Sequence, residues 1–119
     1  MKVTEENIAK VLSFIGFNSV GVGRHYLEDM LLERAYYDLN DWHPHYTQMV
    51  NDVSRINEVE PNTLRRGIKL YVDKNVNSLS VTIPTNKRVF LAMLASIPIA
   101  SLVELLYTLM INTGVESYE

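Results

Sequence analysis

The chain has 119 residues, no cysteine, 47% hydrophobic residues and a net charge of −3. That length suits one domain, and that hydrophobic share supports a packed core and excludes a disordered chain. Without cysteine there is no disulfide framework and no thiolate zinc site, which fits a reducing, cytoplasmic setting.

Met1-Lys2 leads directly into a polar, acidic segment, so no secretory leader is expected. The first predicted helix runs from Thr4 to Ile15. Thr4 is its cap, Glu5 and Glu6 favour its first turn, and Ile8, Val11, Leu12 and Ile15 form its apolar stripe. Gly16 ends it. Phe17 to Gly23 reads as a loop. Its Gly-x-Gly pair is no phosphate loop, because no strand precedes it and no Gly-Lys-Ser/Thr follows.

A second, long helix is predicted from Arg24 to Leu39, with Tyr26, Leu27, Met30, Leu31, Arg34, Ala35 and Asp38 on the helical period. Asn40 to His43 is a break, and Pro44 is expected to open a third helix ending at Ile56. Tyr46, Met49, Val50, Val53 and Ile56 would face inward. Asn57-Glu58-Val59 forms a tight turn. Pro61 then suits the first position of a fourth helix, where its missing N–H costs nothing.

That fourth helix, about 61–74, has two faces. Leu64, Ile68, Tyr71 and Val72 recur at core spacing, while Asn62, Arg65, Arg66 and Lys69 fall opposite. A short helix presenting Arg, Arg, Lys and Asn outward can enter a DNA major groove. Its charge setting agrees. The segment Arg55 to Arg88 holds seven basic residues and three acids, a net +4, leaving −7 on the rest of a chain whose total is −3. Helix, short turn and basic helix is the helix-turn-helix layout. The same layout without DNA contact is common in all-α proteins.

Asn75 to Pro84 alternates Leu79, Val81 and Ile83 with Ser78, Ser80 and Thr82, which predicts a short extended segment. Thr85 or Asn86 would cap the last helical run, which opens with Lys87 and Arg88. Val89 to Ile111 is long and apolar, interrupted by Pro98 and carrying Glu104. The polar stripe Ser101, Glu104 and Thr108 and the break at Pro98 argue against a membrane span. The opposite stripe, Ile99, Leu102, Val103, Leu106, Leu109 and Met110, suits packing on the domain or on a second copy.

Several short motifs, in their order along the chain, also resemble a known family. Ile15-Gly16-Phe17, Gly23 before Tyr26-Leu27, and Tyr37-Asp38-Leu39 carry the first half of the likeness. Tyr46, Asp52-Val53, Leu64-Arg65-Arg66-Gly67-Ile68, and Pro84-Thr85-Asn86 before Phe90-Leu91-Ala92-Met93-Leu94 carry the second. Together they resemble the C-terminal DNA-binding domain of the Firmicutes sporulation-initiation response regulator, over about Ile8 to Leu94. The resemblance implies an all-helical domain whose recognition helix reads the major groove, with copies bound in tandem on repeated elements. It places Asn62, Arg65 and Arg66 on the base-reading face. Arg66 matches an arginine there, while Arg65 stands where the regulator has a glutamate. An acid accepts from cytosine and an arginine donates to guanine, so the preferred sequence should differ. The chain carries no receiver domain, shortens the segment after the recognition helix and lengthens the final helix.

Other chemistries have weak support. His43 and His45 with His25 form no complete ligand set, so no metal or other cofactor is expected. No nucleophile elbow or His-Glu-x-x-His occurs, so no enzyme is expected. The sequence therefore predicts an all-α bundle of five to six helices. Residues 1–97 form a helix-turn-helix DNA-binding domain, and residues 98–119 a packing or dimerising extension. The expected activity is sequence-specific binding of double-stranded DNA, as a small transcriptional regulator or mobile-element accessory factor. Asn62, Arg65 and Arg66 would read bases, with Arg55, Lys69, Lys74, Lys87 and Arg88 on phosphates. The competing expectation is an interaction module, with a membrane-associated form as its variant, that takes a partner through its apolar C-terminal helix.

Overall fold

The structure is a computed structural model that describes residues 4–77 and 85–112, with the side chains of residues 77 and 85–88 outside the description. Six helices carry these residues, and no strand occurs among them. The chain is all-α, as its periodicity predicts.

Helix α1, Glu5–Ile15, begins where Thr4 accepts a hydrogen bond at Oγ1 from the Asn7 amide at 3.2 Å. It ends where Gly16 turns to φ 123°, a backbone state that costs glycine little. The Phe17 amide then returns to the Leu12 carbonyl at 2.8 Å, which drops the Phe17 ring fully into the core. Arg24 fastens this corner by donating to the carbonyls of Phe17 at 2.8 Å and Ala9 at 3.4 Å.

Helix α2 spans Val22–Leu39, starting two residues before the predicted Arg24. That early start brings Gly23 into the helix, where it seats helix α4, Pro61–Asn77. A methyl group on Gly23 would lie 2.4 Å from the Gly67 carbonyl oxygen and 2.5 Å from Tyr71 Cβ. On Gly67 it would lie 2.8 Å from the edge of the Tyr26 ring. Two glycines thus let the α2 and α4 backbones approach more closely than side chains permit. On the same helix Tyr71 donates its hydroxyl to the Ser19 carbonyl at 2.6 Å, and buried Asn75 accepts from the Ser19 amide at 3.2 Å. Helix α4 therefore organises the α1–α2 loop as well as the core.

Helix α3 spans Tyr46–Ile56. Pro44 does not open it. His45 is the extended residue before the first turn, and its carbonyl accepts from Met49 at 2.9 Å. Met49, Val50 and Val53 are buried as expected, but Ile56 is 69% exposed. The buried positions of the last turn are Val53 and Ser54, and Asn57, just past the helix end, bonds Asp29 and the Val53 carbonyl, both at 2.9 Å. Glu58 takes a positive φ of 56°, and the chain enters α4 at Pro61.

The α2–α3 interface holds a carboxyl pair, Glu33 against Asp52. Asp52 accepts from Gln48 and from Arg55, each at 2.8 Å. Burial pushes Glu33 up to about 7, helped by its hydrogen bond to Asp52 and by the repulsion between them, and opposed by Arg55. The folded chain thus binds this proton more tightly than the unfolded chain, where the value is near 4.5. The resulting stabilisation is full below that unfolded value and is lost as pH rises through about 7. Glu33→Gln is expected to raise the melting temperature at pH 8 and to change it much less at pH 5. An equal effect at both pH values would remove the carboxyl pair as the cause.

The run after the undescribed residues 78–84 divides at Pro98 into α5, Thr85–Ser96, and α6, Ile99–Asn112. Asn75 and Val76, predicted to begin an extended segment, belong instead to the last turn of α4. The alternation of Leu79, Val81 and Ile83 falls outside the described residues. Helix α6 packs chiefly on α2 and touches α4. Leu102, Val103, Leu106 and Met110 are all at most 2% exposed within the single chain, and Ile99 and Leu109 lie half-buried against the same core. Of the two readings of that stripe, packing on the domain or on a second copy, these positions follow the first, because the chain's own core covers them. The buried residues of α6 thus share one core with the helices before them.

Glu104, the acid within the apolar run, has a partner on α2. Arg34 Nε donates to it at 2.6 Å, and the guanidinium carbon sits 4.5 Å over the Tyr107 ring. Tyr107 in turn donates its hydroxyl to Asp38 at 2.9 Å. No described helix is long and apolar enough to cross a membrane.

Candidate nucleic-acid interface

With Leu64, Ile68, Tyr71 and Val72 buried, the opposite face of α4 meets solvent. Asn62, Thr63, Arg66, Lys69, Leu70 and Lys74 are exposed there, and Arg65 is half-buried. Over its length α4 holds four cations, Arg65, Arg66, Lys69 and Lys74, against one acid, Asp73. Glu58 and Glu60, also exposed, precede its N-terminus and restrict where a polyanion could approach.

The four cations are not equivalent. Arg65 donates from Nη1 to Asn62 at 3.1 Å. It also faces the Tyr46 hydroxyl at the start of α3. Burial raises the pKa of that hydroxyl, and its hydrogen bond to Arg65 pulls it back. Lys69 bonds Asp73 at 3.2 Å and donates to the Ala95 carbonyl. That carbonyl belongs to the last turn of α5, which has no basic residue of its own. Lys69 thus caps the neighbouring helix from outside. A phosphate would compete with that bond for the Lys69 ammonium, whose side chain is 51% exposed.

Arg66 and Lys74 remain. Both are exposed, and neither has an ion pair or hydrogen bond among the described residues. They stand eight positions apart, about 12 Å along the axis and close to the width of the B-DNA major groove. Asn62 lies one turn before Arg66. Arg55, at the end of α3, is 71% exposed in its side chain and is shared with Asp52 at 2.8 Å. Lys87 and Arg88 fall in the first turn of α5, with side chains outside the description. The structure therefore gathers Asn62, Arg66 and Lys74 on one solvent-facing ridge and ties Arg65 and Lys69 to neighbouring elements.

Two ridge residues were not among those expected from the sequence. Thr63 and Leu70 share the exposed face with Arg66, and Leu70 is 61% exposed. A signal for Leu70 was available, because it falls out of phase with the core stripe of its own helix.

The other candidate groups are scattered. His25 pairs with Asp29 at 3.3 Å, while His43 and His45 are exposed beyond Trp42. Among the described residues no three His, Asp or Glu converge as ligands. Trp42 meets the rings of Tyr36 and Tyr37 edge-on at 5.5 and 5.6 Å, which closes the C-terminal end of α2.

No family model, curated protein or solved structure matches the chain. The likeness to the sporulation regulator's effector domain thus rests on the short motifs between Ile15 and Leu94 alone.

Proposed function

We propose that this protein binds double-stranded DNA in a sequence-specific manner, as a small transcriptional regulator or an accessory factor of a mobile element. Helix α4 lies in the major groove and α3, joined to it by the turn 57–60, crosses the backbone. The observation that carries this reading is the ridge of α4: exposed Arg66 and Lys74 have no partner among the described residues, on a helix whose other face is clamped by Gly23 and Tyr26. Cations with no partner among the described residues meet phosphates and base edges without first breaking an ion pair, so side-chain ordering is the main cost of the contact. The resemblance of the 64–68 segment to a recognition helix supports the same placement.

Arg66 reads guanine through its paired donors, with Asn62 beside it, and Lys74 contacts phosphate. Arg65 contributes from its position against Tyr46, and Lys87, Arg88 and Arg55 extend the phosphate contacts. The apolar stripe of α6, through which the competing module reading takes its partner, packs in the chain's own core. Tandem binding to repeated elements remains part of the proposal.

Selection from random duplexes with the purified chain tests the reading. Lys74→Ala should weaken binding to all sequences alike and flatten the dependence of log affinity on log salt by about one unit. A variant with the parent's slope would remove Lys74 from the interface.

A further inference from the structure

We propose that Leu70 is a specificity-determining residue that reads the 5-methyl group of a thymine beside the guanine read by Arg66. This inference rests on the DNA-binding reading of α4 and names what that site prefers.

Single exposed leucines are ordinary on protein surfaces. The neighbours make this one different. Leu70 is 61% exposed, four positions after Arg66 and four before Lys74, both exposed and without a partner among the described residues. The core closes without it, since Leu64, Ile68, Tyr71 and Val72 already fill the inward side of the helix. Whatever polyanion neutralises Arg66 and Lys74 must cover Leu70. A lipid surface would want a broader apolar face between the charges, and Thr63 and Asn62 complete this ridge instead. A major groove offers one apolar group on its base edges, the thymine methyl, flanked by acceptors and phosphates. Polar base edges facing Leu70 would lose their water without replacement, so cytosine, adenine and guanine are disfavoured there.

The spacing sets the register. Four residues of helix advance about 6 Å, which is one to two base steps. The thymine therefore lies within two base pairs of the guanine that Arg66 contacts.

The experiment uses the intact chain and the duplex obtained by selection. Each thymine in turn is replaced by deoxyuridine, which removes only the methyl group. One replacement, within two base pairs of the Arg66-dependent guanine, should weaken the parent about fourfold, as expected for one apolar carbon left uncovered. Leu70→Ala should bind the thymine and uracil duplexes equally, with an unchanged helical circular dichroism spectrum. The proposal is overturned if no replacement matters, or if uracil weakens parent and variant alike. It is also overturned if Leu70→Ala lowers binding to phosphatidylglycerol vesicles while its duplex binding is that of the parent. Failure of the underlying reading looks different: no duplex is enriched at all, and both proposals fall together.

Discussion

Gly23→Ala is expected to lower stability by about 2–3 kcal/mol, or about 10 °C in melting temperature for a chain of this size. The sign is the informative part. In an ordinary helix interior, glycine to alanine stabilises by up to about 1 kcal/mol. Here the added methyl group meets the backbone carbonyl of Gly67 at 2.4 Å and Tyr71 Cβ at 2.5 Å. Neither atom can move without lifting α4 from α2. Gly67→Ala meets only the Tyr26 ring edge, at 2.8 Å, and a ring can tilt. It should therefore cost less than Gly23→Ala. Thermal or denaturant unfolding of the two variants checks the order. A stabilised Gly23→Ala protein would mean that α4 is not seated this closely.

The second large effect is at the α2–α6 clamp. Arg34→Met is expected to cost about 2–3 kcal/mol. The arginine side chain is only 12% exposed and gives up its bond to Glu104 and its place over the Tyr107 ring. Its Nη1 is buried without a hydrogen-bond acceptor, 4.0 Å from Asp38, so the ring face supplies part of what the guanidinium lacks. Glu104 is 47% exposed and can recover some water, which limits the loss. The double variant Arg34→Met with Glu104→Leu should be more stable than Arg34→Met alone, because no carboxylate is left without its cation. Denaturant midpoints of the three proteins decide it. A double variant less stable than the single would show that packing, not the ion pair, dominates this contact.

Local patterns carried most of the fold into view. Thr4 and Gly16 bound α1, and Pro61 opens α4, because capping and proline geometry act within one turn. The inward set of α4 follows from spacing alone. What depended on distant partners was hidden. Gly23 and Gly67 read as ordinary glycines until the two helices cross. Glu104 stands out as a misfit in an apolar run, but nothing in sequence names Arg34, 70 positions away, as its partner. The same limit applies to the site. Periodicity turns Arg65 and Lys69 away from the core, yet whether each is free or tied depends on Tyr46 and on the end of α5. Ile56 fits the period of α3 but lies where the helix ends and the chain turns outward.

These distinctions sharpen what DNA binding would demand. A ridge of Asn62, Arg66, Leu70 and Lys74 is narrower than the set the sequence suggested, and it concentrates the expected loss on one guanidinium. The decisive measurement is the affinity of the parent and of Arg66→Ala for the selected duplex, with each base pair of the site varied in turn. The parent should prefer one guanine strongly, and Arg66→Ala should bind about tenfold or more weakly and no longer distinguish that position. Equal affinity of the two proteins, or a guanine preference that survives the loss of Arg66, would contradict that expectation.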